Sequence, residues 1–335
     1  MKKFRVAMIG VGQISQSHHK MLSKIPDRCE VIGMHDINPK QAEKRHKEWG
    51  YRIYSSRAEL LADKPDACWV MTPVGPRIEI FKDCFAAGCH VFTEKPLALN
   101  NEDARTCVDL AKKANRLLGF GCNERHEPAS HTMAQIFFSG ALGRLVKVYA
   151  QTYIHRLNEH WAKKLNQPDA WRLTFEASGG RIFEFSIHLV NWVQWIGGEP
   201  VYVCGANDAV SEALAKNGLD DVVSALIKFD QGYGVVETIM APGNRKDHRR
   251  DMGIIGAKGE CWFDAEEHKV HVVVPEEKRN ESFAPNKCAS KAEDFFDAIE
   301  QGRQPLNDGA AALATTRICY AFNQAVREKR TVLLK

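Results

Sequence analysis

The chain has 335 residues, 44% of them hydrophobic and 26% charged, the profile of an ordinary globular protein with room for two domains. That profile excludes a disordered tail, a collagen-like fibre and a low-complexity array. Lysine and arginine exceed aspartate and glutamate by only 4, so no nucleic-acid partner is expected, although Arg245 to Arg250 is locally basic. The longest apolar runs reach five to seven residues, too few to span a membrane. The ten cysteines include no C-x-x-C pair and sit mostly in apolar runs, so they read as small buried hydrophobes. With no secretory leader pattern before the first strand, a reducing, cytoplasmic location is expected.

The first 122 residues alternate strand and helix. Phe4–Ile9 is a short apolar run ending at Gly10, and Ile14, His18, Met21, Leu22 and Ile25 then follow helical spacing until Pro26. A strand over Glu30–His35 precedes a helix starting near Pro39, and Ser56 with Glu59 forms a capping box. Ala67–Met71 is a strand, Arg77–Ala87 a helix closed by Gly88, and Cys89–Thr93 a further strand. Asn100 or Asn101 caps a helix to about Asn115, and Leu117–Gly121 supplies one more strand. Repeated strand–helix units demand a parallel sheet with helices on both faces, so residues 1–122 read as a doubly wound Rossmann domain.

Beyond Cys122 the pattern changes. Strands are expected over Arg144–Ile154, Val201–Asn207, Val222–Phe229, Tyr233–Met240, Met252–Ile255, Cys261–Phe263 and Lys269–Val274. Turn signals such as Asp230-Gln231-Gly232 join several of them. Helices follow around Lys291–Glu300 and Ala310–Lys329. Residues 123–335 therefore read as an α+β domain with an open, largely antiparallel sheet. Both faces of Val222–Phe229 carry apolar residues: Val223, Ala225 and Ile227 alternate with Val222, Ser224, Leu226 and Lys228. A sheet covered on one side only would bury its other face in a homodimer or homotetramer.

Gly10-Val11-Gly12-Gln13-Ile14-Ser15 links the first strand to the first helix. Its glycines allow a tight turn and let a pyrophosphate approach backbone N–H groups, and Ser15 is small enough for close helix–strand packing. Asp36 ends the second strand 24 residues after Gly12, where an adenosine ribose offers its hydroxyls. A carboxylate there repels a 2′-phosphate, which favours NAD over NADP, while Lys40 nearby acts the other way.

Ile182–Ile196 reads as a helix ending at Gly197-Gly198. Glu184, His188, Asn191 and Trp195 share one face, and the remaining positions are nearly all apolar, so the polar stripe is expected to line a cavity. Glu184 lies one turn from His188 and can orient and tune its imidazole. Spacing alone leaves open whether His188 is a proton-transfer residue or a hydrogen-bonded core histidine.

With Glu94-Lys95-Pro96 added to the glycine loop and this helix, the chain resembles the glucose–fructose oxidoreductase/inositol dehydrogenase (Gfo/Idh/MocA) family over nearly its whole length. Thr72-Pro73 resembles the family's turn beside the cofactor. Trp171-Arg172, Gly179-Gly180 and Glu184 through His188 resemble its approach to the catalytic helix. The resemblance implies a Rossmann domain paired with an open sheet, and interconversion of a secondary alcohol and a ketone on a sugar, sugar derivative or cyclitol with NAD or NADP. It further implies that Thr72, Pro73, Glu94 and Lys95 join Gly10, Gly12, Gln13, Ile14 and Asp36 around the cofactor. Lys95 becomes the active-site lysine, His188 the acid/base histidine, Glu184 their carboxylate partner and Arg172 a substrate contact. The sequence departs from the family pattern at Glu184, where Asp is frequent and the longer side chain extends the carboxylate's reach, at Val74 and Arg77, where Asn and His are frequent, and at Ser186 and Asn191, where Gly and Asp are.

Lys95 follows a parallel strand's carboxyl end, where an ammonium can stabilise a developing alkoxide. Tyr153, His155, Arg156, His160, Trp161, Lys163 and Lys164 crowd one loop, with Asn123, Arg125 and His126 at the expected domain junction. Polar groups interleaved with aromatic faces suit a carbohydrate, and Arg125, Tyr153 and His155 are candidate substrate contacts. Lys163 and Lys164 read more simply as solvated. His126, His131, His155 and His160 match no compact zinc spacing, so no metal is expected. Two enzymes fit these features: a dehydrogenase, or a glycoside hydrolase that oxidises, eliminates and re-reduces with recycled NAD. A cofactor-binding regulator without chemistry fits less well, because Lys95, Glu184 and His188 are retained.

Overall fold

The computed structural model describes residues 3–154, 174–240 and 249–334. It divides into two compact units, Met1–Gly121 with Ala289–Leu313, and Cys122–Cys288 with Ala314–Lys335.

The first unit begins with the expected alternation: β1 (Phe4–Ile9), α1 (Ser15–Leu22), β2 (Cys29–His35), α2 (Pro39–Trp49), α3 (Arg57–Ala62), β3 (Ala67–Val70), α4 (Arg77–Ala86), β4 (His90–Thr93), α5 (Asn101–Lys113) and β5 (Leu118–Phe120). The strands pair in parallel in the order β2-β1-β3-β4-β5. Every residue of β3 is buried, as a central parallel strand covered on both faces requires. Strand order reverses between β1 and β3, so a switch point lies at their carboxyl ends. There Gly10 has φ +81°, and a Cβ on it would come within 2.8 Å of the Thr72 Cγ2. Only glycine allows both that conformation and that approach. The caps differ slightly from expectation. Ser56 accepts from the Glu59 N–H, but the Glu59 carboxylate accepts from the Ser55 N–H at 2.9 Å, one residue early. Asn100 caps α5, accepting from the Asp103 N–H at 2.8 Å.

The expected single boundary after residue 122 is modified by the return of residues 289–313 to the first unit. The reason lies in the helix Lys291–Gln301, which follows α1–α5 in this unit. Ser290 and Glu293 form its capping box, and Ala292, Phe295 and Phe296 form its buried stripe. Phe296 stacks on Phe4 with ring centroids 4.8 Å apart, and Phe295 meets Trp69 and Phe92 edge-on. The helix thus completes a core of Phe4, Val6, Met8, Trp69 and Phe92.

The second unit contains α6 (Pro128–Phe138), β6 (Leu145–Tyr153), a short α7 (Phe175–Ser178), α8 (Ile187–Gly197), β7 (Pro200–Asp208), α9 (Glu212–Ala215), β8 (Val222–Phe229), β9 (Tyr233–Ile239), β10 (Arg249–Gly256), β11 (Glu260–Asp264), β12 (Lys269–Val274), β13 (Arg279–Phe283) and β14 (Val332–Leu333). In chain order the Lys291–Gln301 helix is α10, and α11 (Gly309–Glu328) precedes β14. The nine strands run β13-β12-β11-β10-β6-β9-β8-β7-β14, antiparallel throughout except at β6–β9. The sequence reading missed β13 and β14, whose polar or very short segments carry little alternation. α6 packs on β10 to β12 and α8 on β6 and β9. Val223, Ala225 and Ile227 are buried, while Val222, Ser224, Leu226 and Lys228 are half-buried on the opposite face. That opposite face also carries Tyr149, Val235 and Ile239, none of them fully buried.

Truncating a stacked core aromatic typically costs about 3–5 kcal/mol. Phe296→Ala is expected to lower stability by that amount in urea unfolding, whereas a loss under 1 kcal/mol would show that α10 is not integral to the core.

Candidate active site

The candidate residues fall into two sets, one in each unit. In the first unit the glycine loop is held from beneath by side chains on α2. Gln41 Nε2 donates to the Val11 carbonyl at 3.0 Å, and Arg45, 2% exposed, donates to the carbonyls of Val11 and Gly12 at 3.3 Å each. Ser15 Oγ donates to the Gly12 carbonyl at 2.6 Å. Asp36 accepts the Val11 N–H at 2.7 Å through Oδ2 and the Asn38 N–H at 2.8 Å through Oδ1. The loop's acceptors are thus engaged inward, while the N–H groups of Gly12, Gln13 and Ile14 meet no acceptor among the described residues. Nothing within 4 Å would meet a Cβ on Gly12. Thr72 Oγ1, across the switch point, is buried with no partner among the described residues. Free amides, open backbone and an orphaned hydroxyl fit the phosphates and hydroxyls of a dinucleotide. Gln41 and Arg45 were not singled out from sequence, because a helix that grips a loop carbonyl carries no local signature.

Lys95 follows β4 and is half-buried. Its neighbour Glu94 is expected at the cofactor, yet the structure turns it inward, 7% exposed. Glu94 Oε1 lies 2.7 Å from His18 Nε2, and Oε2 accepts the Lys95 N–H at 3.1 Å. Trp69 Nε1 donates to His18 Nδ1 at 3.2 Å. A ring that accepts at Nδ1 carries its proton on Nε2, so His18 donates to Glu94. Burial alone pushes the Glu94 carboxyl up, but His18, Lys291 and Lys95 outweigh it and hold it well below the usual carboxylate range. Gly121 is required beside it, since a Cβ there would lie 2.8 Å from Glu94 Oε1.

In the second unit the predicted helix begins as a π turn over Ile182–Ser186 and continues as α8. Such wide turns recur at functional sites and break an i, i+4 stripe. Glu184 and His188 stay half-buried, whereas Asn191 is wholly buried. Asn191 Nδ2 donates to Thr315 Oγ1 at 3.1 Å, so it belongs to the packing. Trp195 is taken up by the Arg125 guanidinium, 5.4 Å above its ring. Arg125, 5% exposed, also donates to the Asn191 carbonyl at 3.2 Å and to Gln194 Oε1 at 2.8 Å. It braces α8. His188 Nδ1 accepts the Asn123 N–H at 3.2 Å, which places the neutral ring's proton on Nε2. A backbone amide thus occupies Nδ1. Glu184 lies in the field of buried Arg181, whose charge burial disfavours while Asp220, Glu184 and Asp221 sustain it. Tyr153 shares a strand face with Tyr149 and Gln151, opposite the Val148 face covered by α8, because side chains alternate along β6. His155, Arg156, His160, Trp161, Lys163, Lys164, Trp171 and Arg172 lie outside the described residues.

Two family descriptions match the chain: "Oxidoreductase family, NAD-binding Rossmann fold" over residues 4–122, and "GFO/IDH/MocA C-terminal domain" over residues 130–261. A myo-inositol 2-dehydrogenase of Thermotoga maritima is 25% identical, covering 99% of this chain and 98% of its own. A levoglucosan dehydrogenase of Pseudarthrobacter phenanthrenivorans is 25% identical over 79% of this chain and 75% of its own. Among solved structures, a levoglucosan dehydrogenase complex with NADH and levoglucosan shares the fold with TM-score 0.85 at 20% identity, covering 99% of this chain and 100% of that one.

The depressed Glu94 carboxyl contributes stability that is present above the unfolded value near 4.5 and is lost as pH falls through the lower folded value. Glu94→Gln is therefore expected to destabilise the protein at pH 7 and to flatten the acid limb of stability below about pH 4.5. Urea midpoints measured from pH 3 to 8 check this; parallel curves for both proteins would contradict it.

Proposed function

The chain belongs to the Gfo/Idh/MocA family of oxidoreductases and carries its NAD-binding Rossmann domain; from that footing we propose that it oxidises a secondary alcohol of a sugar, sugar derivative or cyclitol to the ketone, reversibly. The observation that carries this reading is the placement, within one unit, of Lys95 and a glycine loop with free amides at carboxyl ends of the same parallel sheet. NAD supplies the hydride acceptor there. Gly10, Gly12, Gln13, Ile14, Thr72 and Pro73 are assigned to its phosphates and nicotinamide side, and Asp36 to its ribose. The Asp36 charge opposes a 2′-phosphate, so NAD is preferred to NADP.

Lys95 is assigned to the negative charge that develops on the reacting oxygen. His188 is assigned to the proton, which Nε2 can accept in the ring's other tautomer, with the ring's own proton on Nδ1 and the Asn123 bond given up. Glu184 favours the protonated ring by its charge. Arg172, on the family resemblance, and Arg125, Tyr153 and His155, on their chemistry, remain proposed substrate contacts; Arg125 also braces α8. The buried cysteines suit a cytoplasmic enzyme. Burial pushes the Cys29 thiol to about 11 and Cys107 to about 12, which keeps both unreactive.

Incubation with NAD and a panel of myo-inositol, levoglucosan and aldoses is expected to yield NADH in stoichiometric amounts, faster than with NADP. His188→Ala should lower turnover by about 10²–10⁴ with NAD affinity retained. His188→Gln, which keeps a donor but accepts no proton, should fall as far. Near-normal turnover of His188→Gln would remove the proton-transfer role, and redox-neutral cleavage of glycosides would replace the dehydrogenase reading.

The outer face of the nine-stranded sheet, with Tyr149, Leu226, Val235 and Ile239, is proposed to pair with a second copy. Light scattering at micromolar concentration should give a dimer or tetramer, and Leu226→Glu should shift it to a smaller species. A monomeric unmutated protein would refute the pairing.

A further inference from the structure

Arg77 is among the positions where the chain departs from its family pattern, and the structure gives it an unusual task. It is the first residue of α4 and is 2% exposed. Its Nε and Nη2 donate to the Thr72 carbonyl at 3.2 and 2.6 Å. Its Nη1 donates to the Glu94 carbonyl at 2.6 Å and also to the Pro96 carbonyl. One planar fork therefore holds the backbone on both sides of Lys95 and ties it to the Thr72-Pro73 turn, which itself abuts Gly10. Burying a guanidinium against neutral carbonyls is expensive compared with an apolar side chain of similar volume. Such a group serves where the positions of several peptide units must be fixed together, because its donors sit in a rigid geometry that neither lysine nor histidine reproduces.

We infer that Arg77 is a positioning residue for Lys95, setting the ammonium's place relative to the glycine loop through the carbonyls of Thr72, Glu94 and Pro96. The inference rests on the reading of Lys95 as the active-site lysine. Arg77 touches neither cofactor nor substrate in this role; it acts through the backbone. A displacement of about 1 Å at such a group can cost about 10²-fold in rate.

The test uses the full chain with NAD, and Arg77→Met, Arg77→Lys, Lys95→Ala and the Arg77→Met/Lys95→Ala double variant. Turnover per folded molecule is measured on the most active member of the sugar and cyclitol panel. NAD affinity is followed by fluorescence. Arg77→Met should lower turnover about 10²-fold with KM and NAD affinity within about threefold of the unmutated protein. Arg77→Lys should recover little of the loss. In the Lys95→Ala background Arg77→Met should cost nothing further, since a residue acting through Lys95 has nothing left to position. An equal fold-loss in both backgrounds, or turnover within twofold of normal for Arg77→Met, would overturn the inference. Normal turnover of Lys95→Ala would instead overturn the underlying assignment of the lysine. A second measurement is independent of substrate and serves if Arg77→Met does not fold. Lysines are reductively ¹³C-methylated, and the Lys95 resonance is identified by its loss in Lys95→Ala. Arg77→Lys should move that resonance toward those of exposed lysines, and an unchanged resonance would count against positioning.

Discussion

A carboxylate removed from water needs a donor or a cation at each oxygen, and Glu94 is removed from water at the end of β4. Much of the first unit answers that requirement. His18 is turned from α1 to meet one oxygen, and Trp69 on β3 fixes the tautomer that lets it donate. The second oxygen takes the Lys95 N–H, so the same carboxylate holds the backbone of the lysine that follows it. Lys291, brought in by α10, adds positive charge and donates to the Gly121 carbonyl at 3.3 Å. Gly121 has no side chain because none fits beside Glu94. A helix from the carboxyl-terminal part of the chain is thus recruited to the first unit both by its phenylalanines and by one lysine.

What could be read from the sequence was what repeats or what is local. The burial of β3 and the alternation along β8 follow from short-range apolar patterns, and the structure shows both. Partners distant in sequence were not legible. No pattern near residue 45 announces that Arg45 will hold the carbonyl of Gly12, and none near residue 292 announces a return to the first unit. The helix of His188 shows a subtler limit. Its stripe was read with an ideal α-helical period, but the π turn over Ile182–Ser186 alters that period between Glu184 and His188. Asn191 and Trp195 follow His188 in the regular helix, yet one is buried against Thr315 and the other lies under Arg125, partners that the stripe alone does not reveal. Tyr153 illustrates strand parity. It ends β6, and its face is set by alternation from Val148.

Three of the departures from the family pattern, at Arg77, Ser186 and Asn191, share a character. Arg77 holds three backbone carbonyls, Ser186 Oγ donates to Thr238 Oγ1 at 2.8 Å, and Asn191 bonds Thr315. Each is buried, and each satisfies a group of the chain itself. The substituted positions belong to the supports beneath Lys95 and along the helix of His188, while the ammonium, the imidazole and the carboxylate of Glu184 are kept. Under the proposed function, replacing supports while keeping Lys95, His188 and Glu184 would preserve the class of reaction and shift those groups by small amounts. Differences of that size discriminate among alcohols of similar shape, because rate depends steeply on the geometry of the reacting oxygen. Under the proposed function, the choice of substrate is to be sought in these supports as much as in the side chains that contact the substrate.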